Sequence, residues 1–205
     1  MKDKTRIAVL VSGGGTNLQA LIDAEKSGLI HSGRIELVIA SRDGVYALER
    51  AKQAGIPSAV VARKGCTQAE FEARILEKLD AYRIDMIVLA GFMSILSQRF
   101  VSHYVRRIIN VHPSLIPSFC GEGFYGLRVH EAALARGVKV TGATVHIVNE
   151  IPDGGPILLQ KAVEVRDGDT PETLQKRVME QAEWVLLPKA AEMMSVELAG
   201  KGVMR

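Results

Sequence analysis

The feature that most constrains the fold is the alternation, over the first 112 residues, of short apolar runs with longer segments of helical character. Apolar, β-branched runs of strand length occupy residues 7–11, 35–40, 58–61, 86–90 and 108–112. Segments with a helical pattern lie between them, at residues 17–27, 46–54, 68–82 and 95–104. Strands that alternate with helices are typical of a parallel sheet, and strands that are apolar throughout are typical of burial on both faces. We therefore predict an α/β fold, with a Rossmann-like, mostly parallel sheet and helices on both of its faces.

After residue 112 the pattern changes. A loop rich in Gly and Phe covers residues 118–126, and a helical pattern follows at residues 127–136. Two further runs, at residues 141–148 and 157–165, show β-branched alternation and are joined by a short Gly/Pro loop. This pattern is typical of a hairpin. We expect the two strands to be antiparallel edge strands in the C-terminal part of the sheet.

The last segment, residues 171–199, is amphipathic and is predicted to form one long helix. The string Asp169-Thr170-Pro171-Glu172 supplies an N-cap and a first helical turn. Pro188 lacks the N–H that a helix interior requires, so we expect the helix to kink or break there.

Composition narrows the class of protein. With 205 residues, 47% of them hydrophobic, the chain can fill one core, so we predict a single domain over residues 1–205. The net charge is +3, and no run of Lys and Arg is long enough to follow a nucleic-acid backbone. No apolar stretch approaches the ~20 residues that span a bilayer. We expect a cytoplasmic protein, monomer or homodimer, without nucleic-acid or membrane partners.

The two cysteines, Cys66 and Cys120, have neither CxxC spacing nor a neighbouring cluster of His and Cys. No metal site is therefore expected. A disulfide between them stays open at this stage.

Two polar side chains with catalytic potential stand at the end of the fifth predicted strand. Asn110 and His112 are two residues apart, so the period of a strand places them on the same face. Asn can donate to a carbonyl oxygen, and His can give or take a proton near neutral pH. For this dipeptide alone, a turn asparagine with a buried strand-end histidine is the simpler interpretation.

A carboxylate in the predicted hairpin loop strengthens the catalytic interpretation. Asp153 lies in the string Asp153-Gly154-Gly155-Pro156, between the two C-terminal strands. Such a loop can bring the carboxylate close to His112, orient the ring and raise its pKa. By itself, Asp153 could equally be an ordinary turn residue.

The first strand runs into a glycine-rich turn, Ser12-Gly13-Gly14-Gly15-Thr16-Asn17-Leu18, which opens the first helix. Glycines allow a close backbone approach, and a helix N-terminus offers free N–H groups to a phosphate. The turn has neither the Lys-Ser/Thr pair of a Walker A loop nor a third glycine at the dinucleotide spacing. Without further information, a tight turn that binds no ligand is as plausible as a phosphate site.

Taken together, the strings around Asn110, His112 and Asp153 resemble those of the folate-dependent formyltransferases. The glycine-rich turn is similar to the S-G-x-G-[ST]-N-L string of the phosphoribosylglycinamide formyltransferases within that family. The resemblance extends from Ile7 to about Pro188 and implies that Asn110, His112 and Asp153 are catalytic.

The resemblance also implies two binding regions. The residues implied to bind the phosphoribosylglycinamide are Gly13, Gly14, Gly15, Thr16 and Asn17 at the phosphate and Glu183 at the ribose hydroxyls. Those implied to line the folate pocket are Met93, Ser94, Ile95 and Leu96, together with Asn110. The string from Leu89 to Leu96 carries this second match.

The implied reaction is the transfer of a formyl group from the co-substrate 10-formyltetrahydrofolate to the amine of phosphoribosylglycinamide, without a metal. The chain departs from the family pattern at Ser94 and Gln68, where some relatives carry basic residues. Contacts to the folate tail are therefore the weakest part of the resemblance. The loop from Phe119 to Gly126 could act as a flap over the substrates.

Three other functions are compatible with parts of this pattern. A methionyl-tRNA formyltransferase needs a C-terminal tRNA-binding domain, for which this chain is too short. A formyltetrahydrofolate deformylase shares the catalytic residues, but usually carries an N-terminal regulatory domain and lacks the glycine-rich turn. A non-enzymatic folate- or nucleotide-binding module would have no use for Asn110, His112 and Asp153 together.

Overall fold

A computed structural model of the protein describes residues 4–201; residues 1–3 and 202–205 of the predicted domain lie outside this range. The strands are β1 (Thr5–Val11), β2 (Gly33–Ala40), β3 (Ser58–Val60), β4 (Met86–Leu89), β5 (Ile108–His112), β6 (Val140–Ile147) and β7 (Ile157–Glu164). The helices are α1 (Thr16–Lys26), α2 (Tyr46–Gln53), α3 (Gln68–Ala81), α4 (Gln98–His103), α5 (Leu127–Arg136), α6 (Pro171–Val178) and α7 (Trp184–Lys201).

The strands form one seven-stranded sheet in the order β3-β2-β1-β4-β5-β6-β7. All pairs from β3 to β5 are parallel. β6 pairs antiparallel with both β5 and β7, so the predicted hairpin forms the C-terminal edge of the sheet. The predicted fold class is thus confirmed.

Each face of the sheet has its own apolar core, because successive strand residues point to opposite sides. In β1, Ile7, Val9 and Val11 pack with helices α1, α2, α6 and α7, whereas Ala8 and Leu10 pack with α3 and α4. Burying one such Val, Ile or Leu side chain contributes about 1.5–3 kcal/mol. Burial on both faces explains why the strands are apolar throughout.

Two predicted helices differ from the structure. The helix predicted at residues 95–104 is shorter, because Ser97 accepts a hydrogen bond from the N–H of Phe100 and caps a helix that begins at Gln98. The segment predicted as one helix from residue 171 to 199 is interrupted by a π-helical turn at Met179–Glu183.

The sequence predicts a kink or a break at Pro188; the break is wrong, because α7 continues through Pro188 to Lys201, and the kink stays a prediction. The irregularity precedes the proline. Pro188 has no N–H to offer the carbonyl four residues earlier, at Trp184. That carbonyl lies where the π-helical turn gives way to the α-helix, so the missing bond falls where the hydrogen-bond ladder already changes its spacing.

The strand order places a crevice at the carboxyl ends of the central strands. β1 lies between β2 and β4, so the chain connections leave β1 in opposite directions on its two sides. In such sheets, ligands bind outside the carboxyl ends of the strands where this reversal occurs. The glycine-rich turn after β1 and the polar end of β5 both lie at these carboxyl ends.

Candidate active site

A cavity of about 570 Å³ opens at the carboxyl ends of β4 and β5. Its wall is formed by those strand ends, by Asn17 of α1, by residues of α6 and the π-helical turn, and by three loop segments, residues 91–96, 121–126 and 148–153. The volume is typical of a site for small molecules.

Asn110 and His112 both line this cavity, as the two-residue period of β5 predicted. His112 is buried and Asn110 is half-buried. Asp153 reaches the same point from the loop between β6 and β7. One carboxylate oxygen, Oδ2, lies 3.4 Å from Nδ1 of His112, and the other, Oδ1, accepts a long hydrogen bond of 3.5 Å from Nδ2 of Asn110.

The glycines that follow Asp153 make this approach possible. Asp153 has a positive φ of 55°, a conformation that Asp adopts more readily than most residues. A Cβ at Gly155 would collide with the carbonyl oxygen of Ile147, and a Cβ at Gly154 would lie 2.6 Å from Cγ2 of Ile151. The two glycines therefore let the loop fold back against the end of β6.

A second histidine, His146, belongs to this cluster and was not identified in the sequence. In the antiparallel register of β5 and β6 it lies opposite Asn110. Its Nε2 is 3.2 Å from Nδ2 of Asn110 and 3.4 Å from Oδ1 of Asp153, while its Nδ1 faces the carbonyl oxygen of Ile147 at 3.1 Å. The only signal in the sequence is its place in the predicted hairpin, and finding it requires the strand register.

The loop before α5 holds the cluster from the other side. The carbonyl oxygen of Phe119 lies 2.8 Å from Nε2 of His112, and the N–H of Gly121 donates to Oδ2 of Asp153 at 2.9 Å. A carbonyl oxygen can only accept, so Nε2 of His112 carries a proton. The nitrogen that gains or loses a proton is therefore Nδ1, next to Asp153. The loop predicted as a flap forms part of the cavity wall.

Within the cluster, the pKa of His112 shifts in the direction opposite to our expectation. We expected Asp153 to raise the pKa of His112, but burial lowers it and outweighs the raising effects of Asp153 and of the Phe119 carbonyl. The neutral imidazole is therefore favoured. Burial alone would raise the pKa of Asp153, but its contacts with His146, His112 and Gly121 bring it below the usual value, so Asp153 is ionised.

The glycine-rich turn directs its N–H groups away from α2. The carbonyl oxygens of Ser12, Gly13 and Gly14 accept hydrogen bonds from Arg42, from the N–H of Ala47 and from Arg50 respectively. In a trans peptide the N–H points opposite to the C=O, so the N–H groups of the next residues point away from these donors. No side chain caps the start of α1, where Gly15 has a φ of 73°.

The residues of this turn are not all brought to the cavity. Asn17 lines it, but Gly13, Gly14, Gly15 and Thr16 lie beside it. The side chain of Thr16 contacts Sδ of Met179, a cavity residue, at 3.9 Å.

Glu183 comes to the cavity from the π-helical turn and meets Asn17 there. Nδ2 of Asn17 donates to Oε2 of Glu183 at 2.8 Å. Burial raises the pKa of Glu183 to about 7, although the hydrogen bond from Asn17 opposes this. Since π-helical turns are frequent at functional sites, the irregular turn and the buried carboxyl both mark this wall as a binding region.

The predicted folate-pocket residues also line the cavity, but they differ in exposure. Met93 and Ile95 are 54% and 61% exposed, whereas Leu96 is 6% exposed and packs in the apolar core. Ser94 is half-buried and also lines the cavity. Gln68 lies behind this segment: its Nε2 donates to the carbonyl oxygen of Ile95 at 2.8 Å.

Three further features of the described chain concern its cysteines, possible metal ligands and possible membrane-spanning helices. Cys66 and Cys120 are both free thiols. Within residues 4–201, no group of three or more His, Cys, Asp or Glu side chains is placed to hold a metal ion. No helix in the described part of the chain has the length and apolar character to cross a membrane.

Comparison with known proteins establishes the class. The model of the formyl transferase family matches residues 5–190, and the chain belongs to this family. It is 42% identical to the phosphoribosylglycinamide formyltransferase of Escherichia coli (strain K12) over 85% of this chain and 80% of that protein. A crystal structure of glycinamide ribonucleotide transformylase 1 from Symbiobacterium toebii is similar with a TM-score of 0.88 and 40% identity, covering 95% of this chain and 89% of that one.

A longer relative is also similar. The chain is 45% identical to the human trifunctional purine biosynthetic protein adenosine-3 over 95% of its own length, but spans 19% of that protein.

Proposed function

We propose that this protein transfers the formyl group of 10-formyltetrahydrofolate to the amine of 5′-phosphoribosylglycinamide. The products are 5′-phosphoribosyl-N-formylglycinamide and tetrahydrofolate, and the step belongs to de novo purine (IMP) biosynthesis. The observation that carries the proposal is the meeting of Asn110, His112 and Asp153 in one cavity of a formyl transferase family member. The names of its similar relatives support the choice of acceptor.

The reaction begins with attack of the amine nitrogen on the formyl carbon, which places negative charge on the formyl oxygen. Asn110 donates a hydrogen bond to that oxygen from Nδ2. The loss of one such donor costs about 100- to 1,000-fold in rate.

The proton of the amine then has to reach the folate nitrogen that leaves. Neutral His112 offers an unprotonated Nδ1, which takes this proton directly or through water as the new C–N bond forms. The resulting imidazolium is stabilised by Asp153, whose Oδ2 lies 3.4 Å from Nδ1. It returns the proton to the folate nitrogen as the old C–N bond breaks.

The two walls of the cavity divide the binding tasks. The phosphate binds at the N–H groups of the turn from Gly13 to Asn17, and Glu183 accepts hydrogen bonds from the ribose hydroxyls. The pterin binds against the segment from Met93 to Leu96. A cytoplasmic location, a monomeric or homodimeric state and the absence of a nucleic-acid partner stay predictions.

The first experiment mixes purified protein with 10-formyltetrahydrofolate and phosphoribosylglycinamide, and follows the folate absorbance and the formylated product. Transfer that needs the nucleotide, and that falls at least 100-fold in His112→Asn, is the expected result. Release of tetrahydrofolate and formate without nucleotide supports the alternative function, a formyltetrahydrofolate deformylase. Binding of both ligands without turnover contradicts both enzymatic assignments.

A further inference from the structure

His130 of α5 is a buried side chain that the mechanism above does not use. It is fully buried, and neither Nδ1 nor Nε2 has a hydrogen-bond partner within residues 4–201. A buried polar group without a partner costs about 1–3 kcal/mol, and such groups are rare in native proteins. Unless a further group pairs with it, the His130 side chain therefore destabilises the folded protein.

The position of His130 indicates what could satisfy it. His130 is a residue of the wall of the cavity that also holds His112 and Glu183. Helix α5 packs against α6, whose Gln175 also lines the cavity, as does Met179 in the π-helical turn. His130 thus lies in the part of the cavity wall that includes Gln175 and Met179, and it is close enough to His112 to be affected by its charge.

The ring is uncharged at neutral pH. Burial lowers the pKa of His130 to about 4, and the nearby His112 lowers it further. A neutral imidazole has one N–H donor and one acceptor lone pair. It can therefore bind an amine or amide without adding a charge next to the reacting groups.

We propose that His130 is a further substrate-contacting residue, whose neutral ring hydrogen-bonds the glycinamide end of the nucleotide. The identity of the ligand rests on the proposed function. An acceptor without charge suits this end, because a carboxylate in the same place would favour the ammonium form of the amine. The attacking nitrogen needs a free lone pair.

The test compares three variants with the parent protein. His130→Leu has a similar volume but no polar atom, so it should raise the midpoint of denaturant unfolding and also raise the nucleotide KM about tenfold, the equivalent of one hydrogen bond. The folate KM should stay unchanged. His130→Asn keeps a donor and an acceptor and should recover part of the nucleotide affinity.

Thr141→Val is the matched control. The hydroxyl of Thr141 in β6 is also buried without a partner among the described residues, but Thr141 does not line the cavity. This variant should be stabilised like His130→Leu and keep the parental KM values. If His130→Leu is stabilised and also keeps them, His130 serves only packing and the proposal is overturned.

A measurement on the unmodified protein covers the case in which His130→Leu does not fold. The ring resonances of His130 in NMR spectra should shift on addition of phosphoribosylglycinamide, and not on addition of tetrahydrofolate. Unshifted resonances at saturating nucleotide overturn the proposal. Turnover of the parent protein distinguishes failure of the proposed function from failure of this inference. An inactive parent contradicts the proposed function. An active parent whose His130 resonances do not shift contradicts this inference alone.

Discussion

The polar groups at the two ends of the cavity differ in how completely they are paired with other protein groups. At the end formed by β5 and the Asp153 loop, both ring nitrogens of His112 and both carboxylate oxygens of Asp153 contact protein groups. At the other end, Oδ1 of Asn17 has no partner within the described residues, and the same holds for both ring nitrogens of His130, which lies close to His112. Glu183 is buried there with a raised pKa.

This difference indicates that the end with Asp153 is preorganised for catalysis, whereas the other end is suited to ligand binding. The cluster around Asp153 is held in place by backbone groups of two loops, so its geometry does not depend on a ligand. The unpaired groups at the other end are costly to bury, and a ligand that pairs with them regains that free energy on binding. Substitutions at the first end should therefore affect turnover, and those at the second should affect affinity and stability.

The largest effect is expected from Asp153→Asn, which breaks the preorganised end. The substitution removes the charge that faces two imidazoles, so His112 can no longer hold the transferred proton. We expect kcat to fall about 100- to 10,000-fold with little change in either KM, measured by steady-state kinetics. Asp167→Asn removes a fully exposed carboxylate and should behave like the parent. A variant at Asp153 that loses affinity and keeps its turnover contradicts the comparison.

Glu183→Gln tests the other end. The variant keeps the shape of the side chain but cannot become a carboxylate, so its hydrogen bonds from ribose hydroxyls are weaker. We expect the nucleotide KM to rise about 10- to 100-fold, since hydrogen bonds to a charged group contribute about 1.5–3 kcal/mol. Glu180→Gln, at an exposed position in the same π-helical turn, is the control. An unchanged nucleotide KM in Glu183→Gln would remove Glu183 from the binding site.

The pH dependence of stability distinguishes Glu183 from His130. The pKa of Glu183 is raised from 4.5 to about 7, so the folded state binds the extra proton between these values and stability falls as the pH rises through them. The pKa of His130 is lowered from 6.5 to about 4, so the unfolded state binds the extra proton and stability rises through that window. The two contributions oppose each other and are each on the order of 3 kcal/mol.

Variants separate these two contributions. Relative to the parent, Glu183→Gln should gain stability as the pH rises from about 4.5 to 7, and His130→Leu should lose its stability advantage as the pH rises from about 4 to 6.5. Urea unfolding across this pH range measures both. Curves that run parallel to that of the parent would show that neither group titrates as the structure indicates.

The smallest effect is expected from the backbone of the glycine-rich turn, where we propose that the nucleotide phosphate binds. Gly15 has a φ of 73°, and a Cβ there would lie 2.7 Å from Cβ of Ala47. Gly15→Ala should therefore lower the free energy of unfolding by about 1–3 kcal/mol. The neighbouring Gly14 has open space around it, so Gly14→Ala should change stability little. Equal losses in the two variants would mean that the close approach of α1 to α2 does not matter.

Much of the fold could be predicted because it follows from local patterns. Apolar runs of strand length and the helical segments between them gave the parallel sheet, and the β-branched alternation near the C-terminus gave the antiparallel edge. The period of two in β5 placed Asn110 and His112 together. The sequence prediction misses the cap at Ser97, and it places the irregularity of the last helix at Pro188 because no local pattern marks the π-helical turn before it.

The sequence alone therefore determined the class of sheet, the strings that carry the family resemblance, and the facing of Asn110 and His112. Tertiary structure decided the rest. His146 joined the cluster through the register of β5 against β6, which no single segment encodes. The protonation of His112, Glu183 and His130 depended on burial, because desolvation shifts a pKa according to everything packed around the group, and those neighbours come from distant parts of the chain.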